Sequence, residues 1–299
     1  MLQGFHNLMV TPMTESGELD EASIRNLVDF QIENGVHGIL ALGSTGEFFT
    51  LSDEERVRVM RIVADQAAGR VPVSFGTAAS GTDQAVAMSR YADEVGAASI
   101  MVPPPYYTPL FFNTADGLFT HYATIAAKVR TPIMIYDGGG GVEVPMDVLR
   151  RLAQECENVK YLKVTVPNVP KVERINQEFG DRLVPFCGND GLTMLELAAG
   201  ARGMTIGIGN VLPRQTADIW NLYTKGDVAA ARRIFYTQVI PVMSVSLAST
   251  AEFIQCFKQA LVWMGVIKSP AVRSPLRPLT RARMEELRAA LEIVHVPLA

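Results

Sequence analysis

Residues 131–166, TPIMIYDGGGGVEVPMDVLRRLAQECENVKYLKVTV, decide the fold through the order of their patterns. Two short apolar runs, TPIMIY (131–136) and KYLKVTV (160–166), lie on either side of an amphipathic segment with helical spacing. The same alternation recurs over roughly the first 220 residues. The stretch therefore predicts a repeating unit made of one strand and one helix.

Six further apolar runs complete the set of predicted strands. They are FHNLMV (5–10), HGILAL (37–42), VPVSFG (71–76), ASIMVP (98–103), LVPFCG (183–188) and GMTIGI (203–208). Strands that alternate with helices form either a doubly wound sheet or a closed barrel. The number and spacing of these units favour the barrel, and no Gly-x-Gly-x-x-Gly follows the first strand, as a dinucleotide-binding fold would show. We predict an α/β protein, a (β/α)8 TIM barrel.

The last part of the chain shows helical patterns without intervening strands. These patterns fall in residues 226–266 and 280–293, and a proline-broken connector, KSPAVRSPLRPL (268–279), separates them. No Gly/Ser-rich linker precedes them. We therefore predict a catalytic barrel over residues 1–224 and a C-terminal helical extension over 225–299, packed on the barrel or at a subunit contact.

Composition narrows the possible function classes. The chain of 299 residues is 48% hydrophobic and 19% charged, which is a globular composition. Its 27 basic and 31 acidic side chains give a net charge of −4, which argues against nucleic acid or an anionic membrane as a partner. The sequence contains neither an uninterrupted apolar span nor the pattern of a secretory signal at its start. We expect a soluble, cytoplasmic protein.

The metal-binding residue types show no ligand spacing. The three cysteines, Cys156, Cys187 and Cys256, are far apart and leave one over in any pairing, which suits a reducing compartment. The four histidines are scattered and form no HExxH motif. The sequence therefore gives no support to a metal-dependent mechanism.

Lys163 differs in its surroundings from the other six lysines. It lies inside a predicted strand, and because side chains alternate across a strand, it shares a face with Tyr161 and Thr165. In a barrel the apolar face of that strand meets the helices, which places Lys163 among the inward-facing side chains. Desolvation of an amine favours its neutral, nucleophilic form. The alternative interpretation is a strand-end lysine paired with a carboxylate.

Three other segments carry polar groups at the ends of predicted strands. Gly43-Ser44-Thr45-Gly46-Glu47 follows the second strand, and its glycines allow a tight loop that offers N–H groups to an anion such as a carboxylate, or a plain β–α turn. Tyr136 ends the fifth strand, where it either packs or relays protons beside a lysine and a threonine. The prolines of PPPYY (103–107) stiffen a loop that projects aromatic side chains toward a site or an interface.

Taken together, these residues resemble the dihydrodipicolinate synthase / N-acetylneuraminate lyase family of class I aldolases. The resemblance covers nearly the whole chain and depends on the order and spacing of its motifs. The matching segments are Thr11-Pro12, GSTGEFFTLSDEER (43–56), PPPYY (103–107), IMIYD (133–137), YLK (161–163), CGND (187–190), GMTIGIGNVLP (203–213) and RSPLRPL (273–279).

The resemblance implies a pyruvate-dependent enzyme without a metal or organic cofactor. Lys163 would form a Schiff base with the keto carbon of pyruvate, or of a substrate that contains its skeleton, and Tyr136 would act as general acid and base. Thr45 would link Tyr136 to Tyr107, which reaches in from a neighbouring subunit of a homotetramer. The substrate-binding residues that the family implies are Ser44, Thr45, Gly46, Thr165 and Thr205.

Two departures from the family pattern concern the second substrate. The lysine-biosynthesis branch has an arginine five residues after the strand-five tyrosine, where this chain has Gly141. The sialic-acid lyases carry Asp-Glu where this chain has Asp190-Gly191. We therefore predict a Schiff-base 2-oxo acid lyase or aldolase that makes or breaks a C–C bond to pyruvate.

The alternatives use the same barrel. One is a dehydratase or deaminase of a 2-oxo acid, and another is dihydrodipicolinate synthase itself despite the missing arginine. A barrel that binds a 2-oxo acid without turnover is a third, but a pure binder needs no nucleophilic lysine.

Overall fold

Eight parallel strands follow one another in chain order around a closed barrel, which confirms the predicted (β/α)8 TIM barrel. The structure, a computed structural model, describes residues 1–106, 114–249 and 252–298. The strands are β1 (Gly4–Leu8), β2 (Gly38–Ala41), β3 (Val73–Gly76), β4 (Ser99–Val102), β5 (Ile133–Asp137), β6 (Val159–Val164), β7 (Val184–Cys187) and β8 (Gly203–Met204).

Helices follow the strands along the chain. Those between and directly after the strands are α1 (Glu21–Glu33), α2 (Asp53–Ala67), α3 (Thr82–Glu94), α4 (Ala115–Ala126), α5 (Met146–Glu155), α6 (Val169–Phe179), α7 (Thr193–Ala198) and α8 (Pro213–Thr224). The last part of the chain forms α9 (Val228–Ile234), a π-helical segment (Phe235–Val239), α10 (Ile240–Ser246), α11 (Phe253–Trp263) and α12 (Arg281–Ile293). No helix in the described ranges is long and apolar enough to cross a membrane.

The contacts divide the chain into two compact units. The first comprises Met1–Gln3 and Val73–Thr205, and the second comprises Gly4–Pro72 and Ile206–Ala299. The first unit thus contains the strands from β3 to β8, and the second contains β1, β2 and the C-terminal helices. The division at residue 224 stays a prediction.

Within the first unit, the register of neighbouring strands brings the polar residues to the same level. Tyr136 on β5 lies opposite Lys163 on β6, which in turn lies opposite Phe186 on β7. Tyr161 packs edge-to-face on the Phe186 ring, with centroids 5.7 Å apart. Tyr161 and Lys163, two residues apart, are both only 3% exposed.

The first predicted strand extends further than the observed one, and a side chain explains the difference. Met9 N–H still donates to Leu40 O, at 3.0 Å, but Val10 N–H donates to the side-chain oxygen of Asn210, at 3.1 Å. The strand ladder ends where a side-chain amide replaces the neighbouring strand as the partner.

Candidate active site

Lys163 and Tyr136 are neighbours on adjacent strands. The Lys163 Nζ atom lies 3.8 Å from the centroid of the Tyr136 ring, within the range of a cation–π contact. Lys163 is 3% exposed and Tyr136 is half-buried. Both lie in the carboxyl-terminal part of their strands, which is the end of a barrel where active sites form. The pair joins a desolvated amine to a phenol that can exchange protons.

The backbone after β7 approaches Lys163 so closely that it requires glycine. A Cβ atom on Gly188 would lie 2.5 Å from both Val164 O and Thr165 Oγ1, and 2.7 Å from Lys163 Cγ. Thr165 Oγ1 donates to Gly188 O at 3.3 Å, and Thr165 N–H donates to Asp137 O at 3.0 Å. The carboxyl-terminal ends of β5, β6 and β7 thus pack around the Lys163 side chain.

The four-glycine loop after β5 has a tight side and an open side. A Cβ on Gly139 would lie 2.7 Å from Pro103 Cβ and 3.0 Å from the Tyr136 ring. Gly141 has a φ of +79°, and a Cβ there would meet no described atom within 4 Å. The loop therefore packs on Tyr136 through Gly139 and leaves space at Gly141.

A buried ion pair holds the base of this loop. Lys171 Nζ lies 2.7 Å from Asp137 Oδ2 and donates to Val144 O at 2.8 Å, and Val144 N–H donates to Asp137 Oδ1 at 2.6 Å. Lys171 also contacts Glu143, whose side chain is largely exposed. Burial raises the pKa of Asp137, and the neighbouring Lys171 charge opposes that shift. The loop is therefore anchored on both sides of its glycines.

In the second unit, the segment after β2 forms a tight turn. Gly46 N–H donates to Gly43 O at 2.9 Å, and Thr11 Oγ1 donates to Gly46 O at 2.7 Å. Within the described part of the chain, the N–H groups of Ser44 and Thr45 donate to no partner. Two free N–H groups in a turn of this kind suit an anionic ligand.

The turn ends at Glu47, which forms a buried ion pair with Lys258 on α11. Both side chains are completely buried. Lys258 Nζ also donates to Ala271 O at 2.8 Å, and Glu47 Oε2 accepts from Arg273 N–H at 3.3 Å. The Arg273 guanidinium in turn binds Glu55 through both nitrogens of its fork. Glu55 N–H donates to the Ser52 hydroxyl in the capping box that begins α2.

The structure places all but one of the predicted site residues. Lys163, Tyr136 and Thr165 lie together, and Thr205, in the same unit, is buried and donates its N–H to Cys187 O at 2.7 Å. Ser44, Thr45 and Gly46 lie together in the turn of the second unit. Tyr107 lies outside the described residues. No group of three or more His, Cys, Asp or Glu residues suited to a metal occurs in the ranges that the structure describes.

Comparisons with known proteins agree with this geometry. The sequence profile described as the Dihydrodipicolinate synthetase family matches residues 1–294. The chain belongs to this family. It is 35% identical over 294 residues to a 4-hydroxy-tetrahydrodipicolinate synthase from Syntrophobacter fumaroxidans, with 98% of each chain covered.

Solved structures of the dihydrodipicolinate synthetase family are similar over the whole chain. The crystal structure of dihydrodipicolinate synthase from Aquifex aeolicus aligns with a TM-score of 0.93 and 33% identity, covering 99% of both chains. The chloride-inhibited enzyme from Acinetobacter baumannii, complexed with pyruvate, aligns with a TM-score of 0.92 and 28% identity over 99% of this chain and all of the other. Family membership confirms the predictions of an enzyme and of a Schiff-base lyase or aldolase.

Sequence reasoning missed several charged side chains that surround these family motifs. Glu47 and Arg273 stand inside quoted motifs, but their buried partner Lys258 lies in a helix, in surroundings that predict an ordinary helical lysine. Glu196, a buried carboxylic acid on α7, carries no motif signal. Only an acidic residue in an otherwise apolar helical segment marks its position in the sequence.

Proposed function

We propose that the protein forms a Schiff base between Lys163 and pyruvate, or a substrate containing the pyruvate skeleton, and makes or breaks a C–C bond through the resulting enamine. The observation that carries this proposal is the buried Lys163 amine, 3.8 Å from the Tyr136 ring on the neighbouring strand. The pyruvate complex of the Acinetobacter baumannii relative supports the choice of substrate.

In the proposed reaction, the Lys163 amine attacks the keto carbon to give a carbinolamine. Proton donation by Tyr136 to the carbinolamine hydroxyl releases water and leaves a protonated imine. Loss of a proton from the methyl carbon gives the enamine, which attacks the carbonyl carbon of an acceptor. Hydrolysis then frees the amine. In the reverse direction, the imine accepts the electron pair of the breaking C–C bond. Since the imine is the electron sink, the proposal includes no metal or organic cofactor.

The remaining predicted residues take supporting roles. The N–H groups of Ser44 and Thr45, which donate to no partner in the described part of the chain, suit the substrate carboxylate. We also assign substrate binding to Gly46, Thr165 and Thr205, as the family resemblance implies. Following the family resemblance, we assign Thr45 a link between Tyr136 and Tyr107 of a neighbouring subunit. The working assembly is then a cytoplasmic homotetramer, without a nucleic acid or membrane partner.

The loop after β5 supports an acceptor without a carboxylate at this position. At Gly141, where the lysine-biosynthesis branch carries an arginine, the chain has no side chain and the surrounding space is open. Glycine cannot supply the two-pronged hydrogen bonds of a guanidinium. We therefore favour an aldehyde acceptor that fills this space over an acceptor held by a charge there.

The second candidate function is 4-hydroxy-tetrahydrodipicolinate synthesis. The names of relatives that are 33–35% identical over nearly the whole chain favour it. A dehydratase or deaminase acting through the same imine would differ from both in keeping the carbon chain of its substrate intact.

The test is to trap the imine with borohydride in the presence of pyruvate, followed by mass spectrometry of the intact protein and its peptides. We expect one reduced pyruvate adduct on Lys163 and none in Lys163→Ala. Lys160→Ala is the matched control because Lys160 lies on the same strand, near its amino-terminal end. The control should be labelled like wild type. The absence of an adduct with pyruvate and with larger 2-oxo acids would overturn the proposal.

A further inference from the structure

Glu196 is a buried carboxylic acid that the proposed reaction does not use. It lies on α7 and is completely buried. Its Oε2 atom accepts from Gly188 N–H at 3.2 Å. The Asn189 N–H and the Cys187 thiol lie near this carboxyl group and lower its pKa, whereas Oε1 makes no hydrogen bond within the described residues. One backbone hydrogen bond and two nearby polar groups from the end of β7 thus surround this carboxyl group.

Gly188 connects Glu196 to the reactive lysine. Its Cα lies against the stem of Lys163, since a Cβ there would come within 2.7 Å of Lys163 Cγ. Its carbonyl oxygen accepts from Thr165 Oγ1 at 3.3 Å. Because Glu196 accepts a hydrogen bond from Gly188 N–H, it fixes the segment that packs against the Lys163 side chain.

Glu196 also lies close enough to Lys163 for the lysine charge to act on its carboxyl group. Burial raises the pKa of Glu196 to about 7, while the Cys187 thiol, the two backbone N–H groups and the positive charge of Lys163 all oppose that shift. Cys187 on β7 and Lys163 on β6 are the titratable groups that act on this carboxyl. Near neutral pH the carboxyl changes between its charged and uncharged forms.

Other charged side chains on the elements packed against α7 are directed elsewhere or exposed. On α6, Lys171 is paired with Asp137, and Glu173, Arg174 and Glu178 are exposed. On the turn before α7, Asp190 is half-buried.

We propose that Glu196 is a positioning residue for Lys163: it fixes the end of β7 against the lysine and, as a carboxylate, stabilises positive charge on the lysine nitrogen. The inference rests on the proposed function, because the cation it stabilises during turnover is the protonated imine. No covalent bond to Glu196 is involved. The carboxylate favours the ammonium of the free enzyme and the iminium of the adduct alike.

The test compares wild type with Glu196→Gln, in which the amide oxygen still accepts from Gly188 N–H but the charge is absent. The first readout needs no substrate: competitive acetylation of Lys163 relative to Lys160 at pH 8. Loss of the carboxylate destabilises the ammonium, so we expect Lys163 to react about threefold faster or more in the variant. Glu173→Gln, on the exposed face of α6, is the matched control and should react like wild type. An unchanged Lys163 rate would overturn the proposal even if the protein failed to trap pyruvate.

The second readout is the pyruvate concentration that gives half-maximal borohydride trapping. In Glu196→Gln it should be several-fold higher than in wild type at pH 8, because the iminium keeps a charge that the free lysine can lose. The two proteins should converge at pH 6, where the wild-type carboxyl is largely uncharged. Identical curves contradict the proposal, whereas failure of wild type to trap pyruvate contradicts the proposed function instead.

A variant that keeps Glu196 tests the proposal by raising the pKa of its carboxyl group instead of removing the charge. Cys187→Ala removes a thiol that lowers the pKa of Glu196, so the difference in trapping from Glu196→Gln should appear at higher pH than it does in wild type. A difference that appears at the same pH as in wild type counts against the proposal.

Discussion

The Tyr136 side chain has two parts with different proposed roles. Its ring contacts Lys163, and its hydroxyl can transfer a proton. Tyr136→Phe keeps the ring and removes the hydroxyl. We expect the variant to bind pyruvate nearly as wild type does but to lose about 100-fold or more in the rate of proton transfer. Exchange of the pyruvate methyl protons in D2O, followed by NMR, measures this rate without requiring the identity of the acceptor.

Tyr91→Phe is the control for this experiment, since Tyr91 is 42% exposed on α3. Exchange in the control should equal that of wild type. If Tyr136→Phe exchanged the protons equally fast, another group would be the acid and base.

At the scale of single residues, the local sequence pattern distinguishes Lys163, but not Lys258, from an ordinary exposed lysine. Lys163 interrupts a strand on the face it shares with Tyr161, and this break in an apolar pattern is visible in the sequence. Lys258 stands in an amphipathic helix, where a lysine is ordinary, and only its contact with Glu47 shows that it is buried. Burial of a charge depends on a partner from elsewhere in the chain, and periodicity carries no information about that partner.

At the scale of elements, the Glu47–Lys258 pair connects the turn after β2 to α11 and to the proline-rich connector. Lys258→Met removes the cation and leaves the Glu47 carboxylate buried without its partner. Breaking a buried pair in this way costs about 3–5 kcal/mol. We therefore expect the free energy of unfolding, measured by urea denaturation, to fall by that amount.

The double variant Glu47→Gln/Lys258→Met tests the cause, because it removes both charges. It should recover much of the stability lost in Lys258→Met. Lys268→Met, at an exposed position in the connector, is the control and should change stability little. A double variant less stable than the single one would show that shape, not charge, dominates at this pair.

Elements themselves were largely predictable, and their ends were not. Each predicted strand overlaps an observed one, because alternating apolar runs between helices depend on residues close in sequence. The ends depend on distant partners. Asn210, which takes the Val10 N–H, is far from β1 in sequence.

At the scale of the whole molecule, Glu196 makes stability depend on pH. Its pKa is raised from 4.5 to about 7, so the folded state binds more protons than the unfolded state between these values. Stability is therefore greatest below the unfolded pKa and is lost as the pH rises through about 7, by an amount on the order of 3 kcal/mol.

The measurement is the free energy of unfolding in urea at pH 5 and pH 8.5, for wild type and Glu196→Gln. Because other groups also titrate, the informative quantity is the difference between the two proteins. The free energy of unfolding of Glu196→Gln minus that of wild type should be larger at pH 8.5 than at pH 5. A difference that does not change with pH would show that the carboxyl titrates near its ordinary value.

The sequence by itself determined the barrel, the strand that carries Lys163 and the family, because each is recorded in local periodicity or in the order of short motifs. Only the tertiary structure decided which side chains act on one another: Lys163 over the Tyr136 ring, Glu47 with Lys258, and Glu196 at the end of β7. These contacts join residues from different elements. Their energies depend on burial and distance, which arise only when the chain has folded.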